Sequence, residues 1–285
     1  MGDWTIIERA RRDILGEGIT YVAREDALYW VDIIGQRVNR YGLGDGQYRE
    51  WAMPEMTGWL IERSTGGGFV AGLKSGFHHL SLDPFALEPI AAPEPDLPFN
   101  RMNDACADAH GRIWAGTMSM DGSRDEGGLY RLDPDLSWHR MDAPYAIANG
   151  PAISPDGATL YHTDSAKGLV YRFALHDDGS LGPRKIFLEF PDAWGSPDGM
   201  TVDAQGGIWI AHWGAGCVSR FDPDGGRERW IDLPASQITR PCFAGADYSR
   251  LFLTSAADGV DEELAGSVFE VEAGVFGLPP RMFGA

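Results

Sequence analysis

Apolar and polar positions alternate over short stretches along this chain, and no long stretch holds a helical period. The clearest unit runs from Ile147 to Asp164, IANGPAISPDGATLYHTD. Its Asn149-Gly150-Pro151 predicts a turn, because Gly and Pro both interrupt regular backbone. Ser154-Pro155-Asp156-Gly157 predicts a hairpin, with Pro and Gly pre-setting the turn dihedrals. An apolar-aromatic strand follows, Thr159 to Thr163. The same plan recurs as NRMNDACADAHGRIWAGTM, from Asn100 to Met118, and as SPDGMTVDAQGGIWIAHWG, from Ser196 to Gly214. The strands repeat while the polar residues near them differ: Arg101 with Asn103, Asn149, and Asp198. A repeated scaffold carrying unlike polar groups at equivalent places is a way to build one shared central site.

Extending the alignment over the whole chain gives six equivalent inner-strand positions, Trp30, Val70, Trp114, Tyr161, Trp209 and Phe252. They are spaced 40, 44, 47, 48 and 43 residues apart, which suits propeller blades of four strands each. A further strand follows each of them, for example GGLYRLD after Trp114 and GCVSRFD after Trp209. Asp133-Pro134, Asp178-Gly179 and Asp222-Pro223-Asp224-Gly225 supply turns. The expected fold is therefore all-β, a six-bladed β-propeller forming a single domain over residues 1–285. Ring closure is expected from the segment Trp4 to Glu8, as a strand of the last blade. Ala91 to Phe99, Met120 to Gly127 and Ala256 to Ala265 exceed the repeat minimum and are expected as surface loops that could cover a channel mouth.

Composition sharpens this in a few places. The 37 Gly and 10 Trp among 285 residues favour many short strands joined by tight turns. A net charge of −18 argues against nucleic acid as a partner, since nothing offsets phosphate repulsion. No run reaches the length of a membrane span, and the N-terminal MGDWTIIERARRD has no apolar signal core. Cys106, Cys217 and Cys242 are odd in number and lack metal-type spacing. A monomeric protein of the reducing cytoplasm, without membrane attachment, is expected.

The candidate chemistry lies just before the aligned strands, where propeller loops converge on the axis. Glu17 comes from blade one, Arg101, Asn103 and Asp104 from blade three, Asn149 from blade four and Asp198 from blade five. Singly, each has a plain structural role: a turn for Asn149-Gly150 and Asp198-Gly199, solvation for Glu17, a blade-to-blade ion pair for Arg101. Their recurrence at one repeat phase makes a site. Two carboxylates and an amide form an all-oxygen set suited to a hard divalent cation. Arg101 could grip a ligand oxygen through its fork of donors. Trp213 could wall a sugar ring or pack in the core. The seven histidines show no zinc-type pairing, and adjacent His78 and His79 would point to opposite strand faces. Neither a nucleophile elbow nor a phosphate-binding loop is present.

These motifs, in their order along nearly the whole chain, resemble the family of senescence marker protein (regucalcin), gluconolactonase and related sugar-lactone lactonases. Among its members the chain is most similar to bacterial pentono- and hexonolactonases, a leaning that Arg240-Pro241-Cys242-Phe243 supports. The resemblance implies metal ligation by Glu17, Asn149 and Asp198, and substrate contact by Arg101, Asn103 and, in a variable loop, Asp121. It implies one divalent cation, drawn from calcium, zinc, manganese, magnesium and iron(II), and a sugar lactone as substrate. The family's E-G-P is Glu17-Gly18-Ile19 here, and the Trp often found two residues beyond is Tyr21. The carboxylate survives and the Pro that would stiffen its loop does not.

The activity implied is metal-dependent hydrolysis of aldono-1,4- or 1,5-lactones to aldonic acids in oxidative sugar catabolism, with Asp198 as general base. Two alternatives stay open: a calcium-dependent aryl-ester or organophosphate hydrolase on the same fold, and a non-catalytic metal-binding propeller.

Overall fold

The computed structural model describes residues 4–284, so the outermost positions of the expected 1–285 domain, Met1 to Asp3 and Ala285, lie outside it. Six four-stranded antiparallel sheets form a six-bladed β-propeller. From the axis outward, blade one is Gly16–Val22, Ala27–Asp32, Arg37–Gly42 and Tyr48–Ala52. Blades two to five begin at the axis with Thr57–Glu62, Asn100–Ala107, Ala148–Ile153 and Ser196–Val202. Blade six runs Ile238–Ala244, Arg250–Ser255, Phe269–Glu272 and then Trp4–Ile6, whose Trp4 pairs with Val271 and Ile6 with Phe269. The outermost strand of the last blade thus comes from the beginning of the chain, and this seals the ring.

Burial follows strand order. The second strand of blade one, ALYWVD, is buried throughout, while its outermost strand, YREWA, is largely exposed. Inner strands are covered on both faces by neighbouring blades, so their sequences read as continuous apolar runs. The six aligned positions Trp30 to Phe252 lie on the second strand of each blade, one place further from the axis than the sequence pattern suggested. Among the described residues, the core divides into six clusters, each joining two adjacent blades. One packs Tyr29 and Val31 of blade one on Phe69 and Leu80 of blade two; another closes the ring, with Phe252 of blade six against Trp30 of blade one.

Three of the aligned tryptophans share a buried clamp. The indole N–H of Trp114 donates to Asp108, that of Trp209 to Asp203, and that of Trp30 to Asp13, each at 2.9 Å. Asp203 also accepts the backbone N–H groups of Gln205 and Gly207 and the guanidinium of Arg220. The turn aspartate therefore shapes the hairpin and anchors the strand behind it.

Each innermost strand slips register at the same level, between Glu17 and Thr20, Thr57 and Trp59, Met102 and Ala105, Asn149 and Ala152, Pro197 and Met200, and Ile238 and Arg240. A bulge re-aims the side chain at its start, and here six bulges ring the axis. The backbones crowd there. A Cβ on Gly18 would sit 2.6 Å from the Gly58 carbonyl, and one on Gly58 would sit 2.6 Å from that of Asn103. Glycine is required where strands approach this closely.

Behind the ring, the C-terminal segment crosses the far face. The Ala204 N–H of blade five donates to the Phe276 carbonyl of this segment, whose Phe283 N–H donates to Glu62 in blade two and whose Gly284 N–H donates to Gly111 in blade three. Phe283 is buried with Trp59, Ile61 and Ile113.

Candidate metal centre and active site

The innermost strands all run in one direction along the axis, so their starts share one face and their ends the other. The starts surround a cavity of about 390 Å³ lined by Glu17, Arg101, Asn103, Asn149 and Asp198, together with Asp121, Ser165, Trp213 and Asp258. The ends surround a second cavity of about 390 Å³, lined by Tyr21, Cys106, Asp108 and Pro241 and crossed by Leu278 to Arg281. Asp108 is spent there on Trp114 and Arg112. The sequence-derived candidates thus gather at the first cavity, with Asp104 the exception.

Glu17, Asn103, Asn149 and Asp198 lie within innermost strands, at or beside the bulges, and not in the turns ahead of them. Asn149-Gly150-Pro151 accordingly forms part of a strand, not a turn. The physical reason is the bulge itself: Gly150, at a φ of 68°, lets the strand take a left-handed step without ending.

The site is buried and charged. Glu17 accepts the Gly18 N–H at 2.8 Å. Burial pushes its carboxyl up to about 6 against that hydrogen bond and the positive charges of Arg240 and Arg101. Burial, then the neighbouring charge of Glu17, push Asp198 well above the carboxylate range. Burial lowers Arg101 to about 10, opposed by Glu17 and Asp198. The amide Nδ2 of Asn149 donates to Asp198 and, at 3.2 Å, to Ser165. This leaves Asn149 Oδ1 buried without a partner.

Two carboxylates that repel each other in a dry site, beside an orphaned carbonyl oxygen, fit a hard divalent cation. Such an ion would offset the repulsion between the carboxylates and give Asn149 Oδ1 its missing partner. Among the described residues no cluster of three His, Cys, Asp or Glu exists; the candidate ligand set is two carboxylates and one amide, a composition without nitrogen or sulfur ligands.

Arg101 donates to Asn103 Oδ1 at 2.6 Å and to the Met102 carbonyl at 3.0 Å, and Asn103 Nδ2 donates to the Ala148 carbonyl at 2.8 Å. Both ends of the Asn103 amide are therefore engaged, and Asn103 fixes Arg101 between blades three and four. Asp121 stands in the loop after blade three's second strand and accepts from Ser119 and Ser123, each at 3.1 Å. These hydrogen bonds hold its carboxyl below the usual range. The Ala91–Phe99 crossover is tied to blade three by Glu94, which accepts from Asn100, Thr117 and Tyr130.

Sequence reasoning missed the part Arg240 plays. It projects from blade six to the diametrically opposite blade three, where Nη2 donates to the Ala105 carbonyl at 2.9 Å and the guanidinium pairs with Asp104. This buried strut separates the two cavities, and it explains why Asp104 faces the floor of the site and not its opening. Arg240 stood in the sequence only within the Arg240–Phe243 element that supports the family resemblance; nothing local marks a residue whose partner is 136 positions away.

Comparison with known proteins agrees with this architecture. The SMP-30/Gluconolactonase/LRE-like region family matches residues 15–257. A 6-deoxy-6-sulfogluconolactonase of Pseudomonas putida is 34% identical over 277 residues, 95% of each chain. An L-arabinolactonase of Azospirillum brasilense is 34% identical over 282 residues, 95% of this chain and 93% of its own. A calcium-binding regucalcin from Agrobacterium tumefaciens strain C58 superposes with a TM-score of 0.92 at 29% identity, covering 98% of this chain and 96% of its own. A six-bladed propeller with a polar axial cavity defines the class. The chain belongs to the SMP-30/gluconolactonase family.

Proposed function

We propose that this protein is a sugar-lactone lactonase dependent on one divalent cation, opening aldono-1,4- or 1,5-lactones to aldonic acids. The observation that carries the reading is the convergence of Glu17, Asn149 and Asp198, from three blades, beside Arg101 in one buried cavity. The lactonases of Pseudomonas putida and Azospirillum brasilense, alike over nearly their whole length, support the reaction class.

Glu17, Asn149 and Asp198 would hold the cation, an oxygen-only set suited to a hard ion such as calcium or magnesium. When bound it supplies Lewis-acid polarisation of an ester carbonyl. The remaining steps belong to the protein. Arg101, held by Asn103, donates to an oxygen of the lactone and orients the ring. Asp121, through the oxygen not used by Ser119 and Ser123, accepts from a ring hydroxyl. Asp198 takes the proton from the attacking water as the carbonyl carbon is converted to its tetrahedral form, and returns it to the ring oxygen as the carbon–oxygen bond of the ring breaks and the acid opens. The strut of Arg240 and Asp104 closes the cavity floor to water from the opposite face. A monomer in a reducing compartment completes the reading, in keeping with three unpaired cysteines.

Proton release from a panel of pentono- and hexonolactones, on chelator-stripped protein with and without each divalent metal, tests this. Metal-dependent acid release above the uncatalysed rate is expected, and Asp198→Ala should abolish both metal binding and turnover. Turnover retained in that variant would remove Asp198 from the mechanism. Failure of every lactone with every metal would shift the reading to an aryl-ester or phosphotriester hydrolase, assayed on those substrates, or to a metal-binding propeller without catalysis.

A further inference from the structure

The walls of the active-site cavity differ from its floor. Charge lies at the bottom, where Glu17, Asp198 and Arg101 meet. Above them Leu15, Ile34, Met56, Met120, Ile147 and Trp213 face the opening. All six are partly exposed, and they come from the loops and strand ends of five different blades. Two charges interrupt them, Asp121 from the blade-three loop and Asp258 from blade six.

In a chain of net charge −18, a ring of half-exposed apolar side chains around one opening is not a means of staying soluble. An apolar wall over a few convergent polar groups is the usual construction of a ligand site. The hydrogen-bonding groups left for a sugar are few. Asn103 has both amide ends engaged, and one oxygen of Asp121 is taken by Ser119 and Ser123. The lactone carbonyl must reach the floor, because the carboxylates are there. The far end of the molecule, bearing its terminal carbon, then lies among the apolar side chains. A terminal hydroxyl placed against these six side chains, away from Asp121 and Asp258, gains no protein partner from them, whereas a terminal methyl is covered by them.

We propose that the lactones this site turns over best are sugar lactones ending in a deoxygenated carbon, the 6-deoxyhexonolactones, with Ile34 and Met120 among the residues that set the preference. The inference rests on the lactonase reading and goes further in naming the substrate class.

Matched pairs test it. The holoprotein is assayed on hexonolactones of the galacto, manno and gluco configurations, each beside its 6-deoxy counterpart, so that every pair differs by one oxygen. The 6-deoxy member is expected to have the higher kcat/KM, by about tenfold to a hundredfold, in the configuration turned over best. Ile34→Ser and Met120→Ser, at partly exposed positions where folding is insensitive, should bring that ratio toward one. If both members of each pair are hydrolysed equally, or the hydroxylated one faster, this inference is overturned and the lactonase reading stands. A ratio unmoved by both variants also overturns it, since the wall would not be the cause. If no sugar lactone of either kind is hydrolysed with any metal, the lactonase reading itself falls, and this inference with it.

Discussion

At the scale of single residues, the site depends on charges that only work as a set. Asp104 is fully buried, the Arg240 side chain is only 12% exposed, and the pair spans the axis between opposite blades. Removing one partner of such a pair leaves the other uncompensated, at a cost of about 3–5 kcal/mol, while replacing both with apolar groups is often close to neutral. Asp104→Leu should therefore be strongly destabilised, and Arg240→Met with Asp104→Leu should recover most of the loss in a denaturant titration. Turnover should behave differently. Glu17 keeps its charge partly through Arg240, so the double variant should stay slow and bind metal more weakly even where its stability has returned. Recovery of both stability and kcat/KM would show that the strut is structural only. The family motif placed Glu17, Asn149 and Asp198 from the sequence because each sits beside Gly or Pro in a short recognisable string. Arg240 stayed hidden because its role is defined by a residue across the ring.

At the scale of elements, the repeat was legible because turn chemistry and aromatic strands recur together, and its phase was misread for a related reason. The strongest signal is the aromatic second strand, whose Trp in blades one, three and five is clamped by a buried aspartate. The innermost strand is marked only by Gly and Pro, which ordinarily signal turns; here they mark bulges in strands held on both sides by neighbouring blades. The clamp itself can be tested within one molecule. Asp203 is fully buried and accepts from two backbone amides, an indole and a guanidinium. Asp156, at the matching turn of blade four, is exposed and contacts only Ser154 and the Ala158 N–H, ahead of Tyr161 instead of a Trp. Asp203→Ala should lower the stability by about 3–5 kcal/mol, leaving an arginine and an indole without their buried acceptor. Asp156→Ala should barely move the urea midpoint. Equal shifts in the two variants would mean that the aspartates act only as turn formers.

At the scale of the whole molecule, a closed ring makes stability cooperative, and two buried histidines tie it to pH. His162 is fully buried with neither ring nitrogen partnered and stands edge-on to Tyr145, ring centroids 4.5 Å apart. Burial holds it neutral and lowers its pKa from 6.5 to about 3. His212 is lowered to about 4 for the same first reason, although the Trp194 carbonyl accepts from its Nδ1–H at 2.8 Å. The unfolded chain takes up these protons near pH 6.5 and the folded one does not. Between about pH 6.5 and 4, the unfolded state binds more protons, so stability is full above this window and is lost as pH falls through it, by up to about 1.4 kcal/mol per pH unit for each histidine. The raised carboxyls of Glu17 and Asp198 act in the opposite sense, so the wild-type curve alone does not isolate the histidines. His162→Leu does. It replaces an unpartnered ring with an apolar side chain, and its stability plotted against pH should be flatter than wild type across that window, by as much as about 1.4 kcal/mol per pH unit at the steepest point. Parallel curves would show that His162 is protonated in the folded protein. Activity at neutral pH should survive the change, because His162 lies behind the innermost strand and lines neither end of the axial channel.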